Sequence, residues 1–428
     1  MAARKRKEGL SVAEEVEWFV GIDWASEKHQ VCLVDAHGKG CGERTVAHDG
    51  AGVEELCDWL IARTGVQPAA IAVAIEMPHG PVVEALLERG FRVHAINPKQ
   101  LDRFRDRFTV AGAKDDRRDA HVLADSLRTD RHAFRPVSVD NPVIVELREW
   151  SRMAEDLRRE RNRLANRVRE QLWRYYPQML KLPDDFAADW FLDLWSQAPT
   201  PAKAARLRAS TIERVLKTHR IRRWQAPEIL QVLRAKPLSV APGVVEAASA
   251  HIHTLTARIK LVNQQLKAAH RKLDQLCDQL VPPTESAPGQ RGEQRDVVIL
   301  RSMPGLARIN LAALLSEAWQ PLRRRDYHAL RCLSGIAPVT RRSGKSCVVL
   351  RRYACNKRLA NALYHWARVA TQHDEISRRR YAALRGRGHS HGRALRTVAD
   401  RLLSVACTLL EQQTLFDPAY KAREAAAA

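Results

Sequence analysis

Long apolar runs, paired cysteines and carboxylates are what this 428-residue chain is short of, and each shortage excludes something. No stretch approaches the roughly 20 apolar residues that cross a bilayer, so no membrane-spanning helix is expected. The eight cysteines, Cys32, Cys41, Cys57, Cys277, Cys332, Cys347, Cys355 and Cys407, include no CxxC pair and no zinc-knuckle spacing. That pattern points to reduced thiols in a cytoplasmic protein. The basic opening MAARKRKEGL runs into the acidic SVAEEVEW and not into an apolar segment, so it reads as a solvated tail and not as a signal peptide. Hydrophobic residues at 45% and charged residues at 28% are ordinary globular usage, which excludes low-complexity and collagen-like chains. The length accommodates about two or three domains.

Carboxylates are the telling deficit. Lys and Arg number 71 against 49 Asp and Glu, a net charge of +22 with a pI near 10.1, which implies a polyanionic partner. The imbalance is uneven. Residues 1–137 hold 20 basic and 22 acidic side chains, residues 138–290 hold 25 and 17, and residues 291–428 hold 26 and 10. The front therefore concentrates acid for some purpose, while the back faces phosphate.

Patterning divides the chain in the same places. Residues 17–24, 29–36 and 43–48 read as an antiparallel meander of strands. Residues 52–63 have helical periodicity, and residues 70–77 (AIAVAIEM) form an apolar run of the kind buried on both faces of a sheet. A helix at 82–89, a strand at 91–97 and helices at 98–108 and 116–128 follow. The order βββαβαβα is that of a mixed sheet with helices on both faces, the α/β ribonuclease-H-like arrangement. Residues 143–172 and 245–280 are long Arg-, Lys- and Gln-rich helical patterns. In the second, Ile252, Leu255, Ile259, Val262, Leu266, Ala269, Leu273 and Leu276 recur at alternating three- and four-residue steps, as a coiled-coil seam between copies or packing within one chain requires. Between them, residues 175–242, with Trp190, Trp195 and Trp224, read as a small helical insert. A Pro- and Gly-rich linker at 281–294 precedes a mainly α region with helices at 311–319, 327–333, 357–371 and 394–412. The expected domains are thus residues 1–137, residues 138–283 with the insert, and residues 295–420.

Two groups of residues can carry chemistry. Asp23 closes the first strand and Glu76 lies near the end of AIAVAIEM, each a carboxylate among apolar neighbours where charge is costly unless paired or metal-bound. In this strand order the first and fourth strands are neighbours, which brings both to one edge. Asp116 and Asp119, three apart, share a helix face. Four carboxylates can meet there, and oxygen-only ligation selects Mg²⁺ or Mn²⁺, two of which polarise a phosphodiester for in-line displacement. Pairing of Asp116 and Asp119 with Lys114, Arg117 or Arg118 on a solvated helix is the alternative, and spacing leaves Asp35, Asp115 and Asp125 as substitutes. In the basic back, residues 302–306 (SMPGL) begin a hairpin whose amides can hold a phosphate. Further on, Ser343 stands among Arg341, Arg342 and Lys345, followed by Arg351, Arg352, Lys357 and Arg358, cations suited to nucleic acid. Such a setting exposes a serine to phosphate but does not by itself make it a nucleophile.

The ordered set Gly21-Ile22-Asp23, Ile75-Glu76, residues 114–120 (KDDRRDA), Pro304-Gly305-Leu306, residues 333–338 (LSGIAP) and Ser343-Gly344-Lys345 resembles the DEDD transposases of bacterial insertion sequences, the recombinases guided by a bridge RNA. The resemblance runs from about residue 18 to about residue 420, and the tail at 385–403 fits it. It implies a RuvC-like N-terminal domain in which Asp23, Glu76, Asp116 and Asp119 bind Mg²⁺, joined by a coiled-coil region to a C-terminal transposase domain in which Ser343 is the nucleophile. In such enzymes the serine attacks a DNA phosphate and forms a covalent protein–DNA intermediate. The acidic site of one subunit completes the serine site of another in a tetramer assembled as two dimers, and a structured RNA pairs with donor and target DNA, so that sequence is read by base pairing. This chain departs from the pattern at Met77-Pro78-His79-Gly80, at Ala307, at Cys355 where a glycine is usual, and in the length of its insert. The rival reading is a metal-dependent Holliday-junction-type endonuclease using activated water, with Ser343 binding phosphate only. A non-catalytic nucleic-acid-binding protein is a third, weaker option, because binding phosphate gains nothing from clustered carboxylates.

Overall fold

A computed structural model of the chain describes residues 16–108, 115–138, 141–281 and 296–418. They form two compact units, Met1–Asp140 and Asn141–Ala428. Lys114 and all of the expected linker except Val281 lie outside the described residues.

The first unit is a six-stranded mixed sheet in the order β3-β2-β1-β4-β5-β6. The meander β1 (Trp18–Asp23), β2 (Lys28–Asp35) and β3 (Gly40–Ala47) is antiparallel, and β4 (Ile71–Ile75) and β5 (Arg92–Ala95) continue beside β1 in parallel. A two-residue β6 (Arg135–Pro136) closes the edge antiparallel to β5, a strand too short to show in the pattern. The helices are α1 (Gly50–Thr64), α2 (Pro81–Glu88), α3 (Pro98–Arg105) and α4 (Asp116–Thr129). Alternation along the strands sorts the two faces. Val20, Ile22, Val31, Leu33, Val73 and Ile75 pack against Leu56 and Leu60 of α1 and Val82 and Leu86 of α2. Phe19, Cys32, Val34, Ala72 and Ala74 pack against Leu101 of α3 and Ala120, Leu123 and Leu127 of α4. The ribonuclease-H-like arrangement expected from the element order is therefore present, with β4 ending one residue before Glu76 and β3 starting three residues earlier than the pattern indicated.

The close seat of α4 depends on Gly21. A Cβ there would lie 1.9 Å from the Ala120 carbonyl oxygen and 2.6 Å from the Ala124 nitrogen, both backbone atoms of α4.

The second unit holds the long helices α5 (Pro142–Tyr175) and α10 (Val244–Gln279), with α6 (Asp189–Gln197), α7 (Pro201–Ala205), α8 (Ala209–Thr218) and α9 (Ala226–Leu233) between them. Glu146 pairs with Lys272, Arg161 with Asn263, and Glu160 with Arg258, a descending series that makes α5 and α10 antiparallel. The apolar stripe of α10 is buried inside the chain. Ile252, Leu255, Ile259 and Val262 join Leu164, Val168 and Leu172 of α5 in the core of the insert, which also holds Trp190, Phe191 and Trp195. Ala269, Leu273 and Leu276 join the core of the C-terminal helices. The expected coiled-coil region is thus an intrachain helix pair, and its spacing supplies no support for a contact between copies.

Beyond it come α11 (Asp296–Ser302), α12 (Arg308–Glu317), α13 (Trp319–Arg323), α14 (Tyr327–Leu333), the hairpin β7 (Val339–Ser343) and β8 (Ser346–Leu350), then α15 (Lys357–His373), α16 (Glu375–Gly386) and α17 (His391–Gln412). This region is mainly α as expected. The hairpin was not legible in the pattern, because both of its strands are solvated and show no alternation of polarity. Among the described residues no helix is long and apolar enough to cross a membrane, and none of the eight cysteines forms a disulfide.

Two outcomes follow from the first unit. Gly21→Ala forces α4 off the sheet and is expected to destabilise the unit by about 3 kcal/mol, read as a lower urea midpoint. His94 on β5 is buried, and burial, aided by Arg131 and Arg92, pushes it down to about 4. A histidine with a depressed folded pKa adds stability above its unfolded pKa of about 6.5 that is lost as pH falls toward the folded value. Stability of the unit should therefore drop between about pH 6.5 and 4, and His94→Phe should flatten that part of the profile.

Candidate catalytic sites

The fold places Asp23, Glu76 and Asp119 at one end of the sheet on the α4 side, with Asp116 exposed in the first turn of α4 at the same end. Ile22 of β1 is in register with Ile75 of β4, so Asp23 and Glu76, the next residues along, occupy neighbouring strand ends. By strand alternation both belong with Gly21 and Ala74, on the α4 side. Gln30, the register partner of Asp23, is buried on the same side and accepts from the Thr45 hydroxyl at 2.7 Å. Helix α4 begins at this end. Asp115 is its N-cap, accepting from the Arg117 nitrogen, Asp116 is exposed in its first turn, and Asp119 is buried one turn in, at 2% exposure. The positive end of the helix dipole helps to hold this acid together.

The three substitutes fall elsewhere. Asp35 is opposite Trp18, at the far end of β1, where it caps a turn by accepting from the backbone nitrogens of His37 and Lys39. Asp125 pairs with Arg128, and Asp115 serves as the helix cap.

Asp119 is not free for an ion. Arg105, the last residue of α3, donates from Nε to one of its carboxylate oxygens at 2.6 Å and from a terminal nitrogen to the other at 2.7 Å, and reaches Asp102 as well. The Arg105 guanidinium sits above its ordinary range. Burial opposes its charge, but the hydrogen bonds and charge of Asp119, and then the charges of Asp102 and Glu76, outweigh it. Among the described residues no three His, Cys, Asp or Glu side chains are gathered closely enough to hold a metal. In this arrangement the acidic set does not fit a divalent ion, and a guanidinium supplies the positive charge. Sequence reading placed the carboxylates but missed Arg105, whose separation from Asp119 by a turn and a helix start leaves no local spacing signal.

In the second unit Ser343 ends β7 and pairs with Ser346, so it stands at the tip of the hairpin. The two-residue turn has Gly344 at φ +54, as the first central position of a type II′ turn requires. All residues from Arg341 to Leu350 are exposed. Ser343 and Arg341 share one face of the ribbon and Arg342 is on the other, while Lys345 completes the turn. Among the described residues no carboxylate pairs with Arg341, Arg342, Lys345 or Arg351, and no hydrogen bond engages the Ser343 hydroxyl. The other expected cations are differently placed. Arg352 donates to the Ala337 carbonyl at 3.2 Å, Lys357 bonds the Tyr353 carbonyl, and Arg358 is held by Glu155 and Asp156 of α5. The Pro304-Gly305-Leu306 turn packs on α15. Trp366 donates to the Pro304 carbonyl at 2.9 Å, and Gly305, at φ +76, abuts the backbone of Ala370. Cys355 fills the space beside Gly335.

Comparison with known proteins covers both units. Residues 20–177 match a DEDD transposase family of the IS110 type, and residues 297–382 match the transposase family IS116/IS110/IS902. The IS117 mini-circle protein of Streptomyces coelicolor is 34% identical over 416 residues, 93% of this chain and 95% of its own length. The y4uE protein of Sinorhizobium fredii is 58% identical over 226 residues, 53% of this chain and 63% of that protein. A 43.6 kDa protein of insertion element IS110, also from Streptomyces coelicolor, is 26% identical over 417 residues, 94% of this chain and 96% of its own.

Arg105→Met removes the counter-charge and leaves Asp119 buried and unpaired, which should destabilise the first unit by about 3 kcal/mol. Arg105→Met combined with Asp119→Leu should recover much of that loss. Urea unfolding of the two variants checks both statements.

Proposed function

Because this chain belongs to the IS110/IS116/IS902 family of DEDD transposases, we propose that it cleaves and rejoins DNA of an insertion sequence through Ser343. The observation that carries this reading is the position of Ser343, exposed at the tip of a ribbon beside Arg341 and Lys345, two cations without a carboxylate partner. The Ser343 oxygen attacks a DNA phosphorus and forms a phosphoserine bond. The bond to the leaving deoxyribose oxygen breaks, that oxygen takes the electron pair, and the serine proton passes to a base. Rejoining reverses the step, with a strand hydroxyl displacing the serine. Arg341 and Lys345 neutralise the charge that builds on the phosphate oxygens.

The hairpin offers no base, so the proton acceptor comes from outside it. In this reading the acidic set of Asp23, Glu76, Asp116 and Asp119, brought up by another copy in a dimer or tetramer, completes the serine site. Metal dependence on Mg²⁺ or Mn²⁺ then requires Arg105 to release Asp119. Donor and target DNA are the substrates, and a structured element-encoded RNA chooses them by pairing. The basic C-terminal part, with 26 cationic against 10 acidic residues in positions 291–428, supports a nucleic-acid partner. The lack of a base beside Ser343 favours the second reading, a nuclease in which water attacks and Ser343 binds phosphate.

The test combines RNA sequencing with an adduct assay. Protein purified from cells carrying the element's flanking DNA should bring down one enriched structured RNA. With Mg²⁺ and labelled DNA it should form a covalent adduct that disappears in EDTA, in Ser343→Ala and in Asp23→Asn. Cleavage that survives Ser343→Ala with no adduct selects the nuclease.

A further inference from the structure

At the base of the hairpin, between β8 and α15, the chain holds an aromatic ring out among cations that have no carboxylate partner among the described residues. Tyr353 is 69% exposed. The Arg351 guanidinium lies 5.3 Å and the Lys357 ammonium 5.8 Å from its ring centroid. The backbone under the ring is pinned on both sides. Lys357 bonds the Tyr353 carbonyl, Arg352 donates to Ala337, the Asn356 nitrogen donates to the Leu333 carbonyl at 2.8 Å, and Cys355 is wedged against Gly335. A surface loop held this firmly presents its side chain in one place, which lowers the ordering cost of binding.

Helix α17 adds two more cations. Arg393 and Arg396 are one turn apart on one face. Arg396 is half-buried, and burial, with the charges of Arg351 and Arg393 added, holds its guanidinium below the usual range. Among the described residues none of Arg351, Arg393 and Arg396 has a carboxylate partner. Three guanidinium groups close enough to feel one another's charge, with no carboxylate partner among the described residues, form an arrangement that a phosphate relieves.

Resting on the reading that this unit handles nucleic acid, we infer that Tyr353 is a stacking platform for an unpaired nucleobase, whose flanking phosphates are held by Arg351, Arg393 and Arg396. A base within a duplex is already stacked on its neighbours and shows only its edges in the grooves. A ring standing out from a surface loop matches a single strand, every base of which has a free face. The unpaired strand is DNA opened at a cleavage point or RNA in a loop. Both offer the same base and phosphate, and the test separates them.

The test uses the full chain and fluorescence anisotropy with labelled oligothymidylate and oligouridylate of about 12 nucleotides and a duplex of the same length. Tyr353→Leu should weaken single-strand binding about tenfold and leave duplex binding unchanged, whereas Tyr353→Trp should retain wild-type affinity. A 2-aminopurine within the single strand should be quenched by wild type and by Tyr353→Trp and not by Tyr353→Leu. Arg396→Gln should weaken all three ligands and lower the salt slope by about one. A loss confined to one oligonucleotide assigns the platform to that sugar. Equal single-strand affinity of Tyr353→Leu and wild type, or an equal loss on the duplex, overturns the platform even where the Ser343 adduct forms. Failure of the adduct leaves these ratios to stand by themselves.

Discussion

Two backbones in direct contact, β1 at Gly21 and α4 at Ala120, set the geometry of the first unit. With no side chain at position 21 the helix backbone lies directly against β1, and its first turn lies toward the ends of β1 and β4. That placement is what brings Asp119 to the face that Asp23 and Glu76 share. A larger residue at position 21 would lift the helix and move Asp119 with it. The same closeness buries Asp119, and a buried carboxylate must have a partner, which explains why α3 ends in Arg105.

The second unit solves the opposite problem. It has cations in excess, and its fold leaves them unneutralised at chosen places. Arg358 is drawn into an ion pair with α5 and helps to hold the unit together, whereas among the described residues Arg341, Lys345, Arg351, Arg393 and Arg396 have no carboxylate partner. Beneath them lies a helical core that includes Trp366, Leu363 and Leu395. The hairpin contributes almost nothing to this core, since β8 is exposed along its whole length.

Much of this was legible in the residues. The mixed sheet, the neighbouring first and fourth strands, the long helix pair and the helical insert all follow from apolar periodicity, because burial imposes the period of the element on the pattern. The neighbouring placement of Asp23 and Glu76 at the ends of β1 and β4 followed from strand order. What did not show were features governed by solvent or by distant pairing. The hairpin of Val339 to Leu350 has no buried face to impose alternation. The bond between Arg105 and Asp119 joins two helices at an angle no spacing rule describes, and the role of the α10 stripe depended on which neighbour covered it, a fact that a stripe by itself does not contain.

The helix pair has a consequence for how such chains can vary in length. The insert between α5 and α10 begins and ends at one tip of the pair, where Gln178 donates to the carbonyls of Ala235 and Lys236. Its core is shared with that tip, through Val168, Leu172, Ile252 and Leu255. A shorter relative that lacks the lobe inherits a bare greasy tip. It must either exchange those four positions for polar side chains or cover them with something else, so insert length and the character of two distant helical segments should change together between relatives.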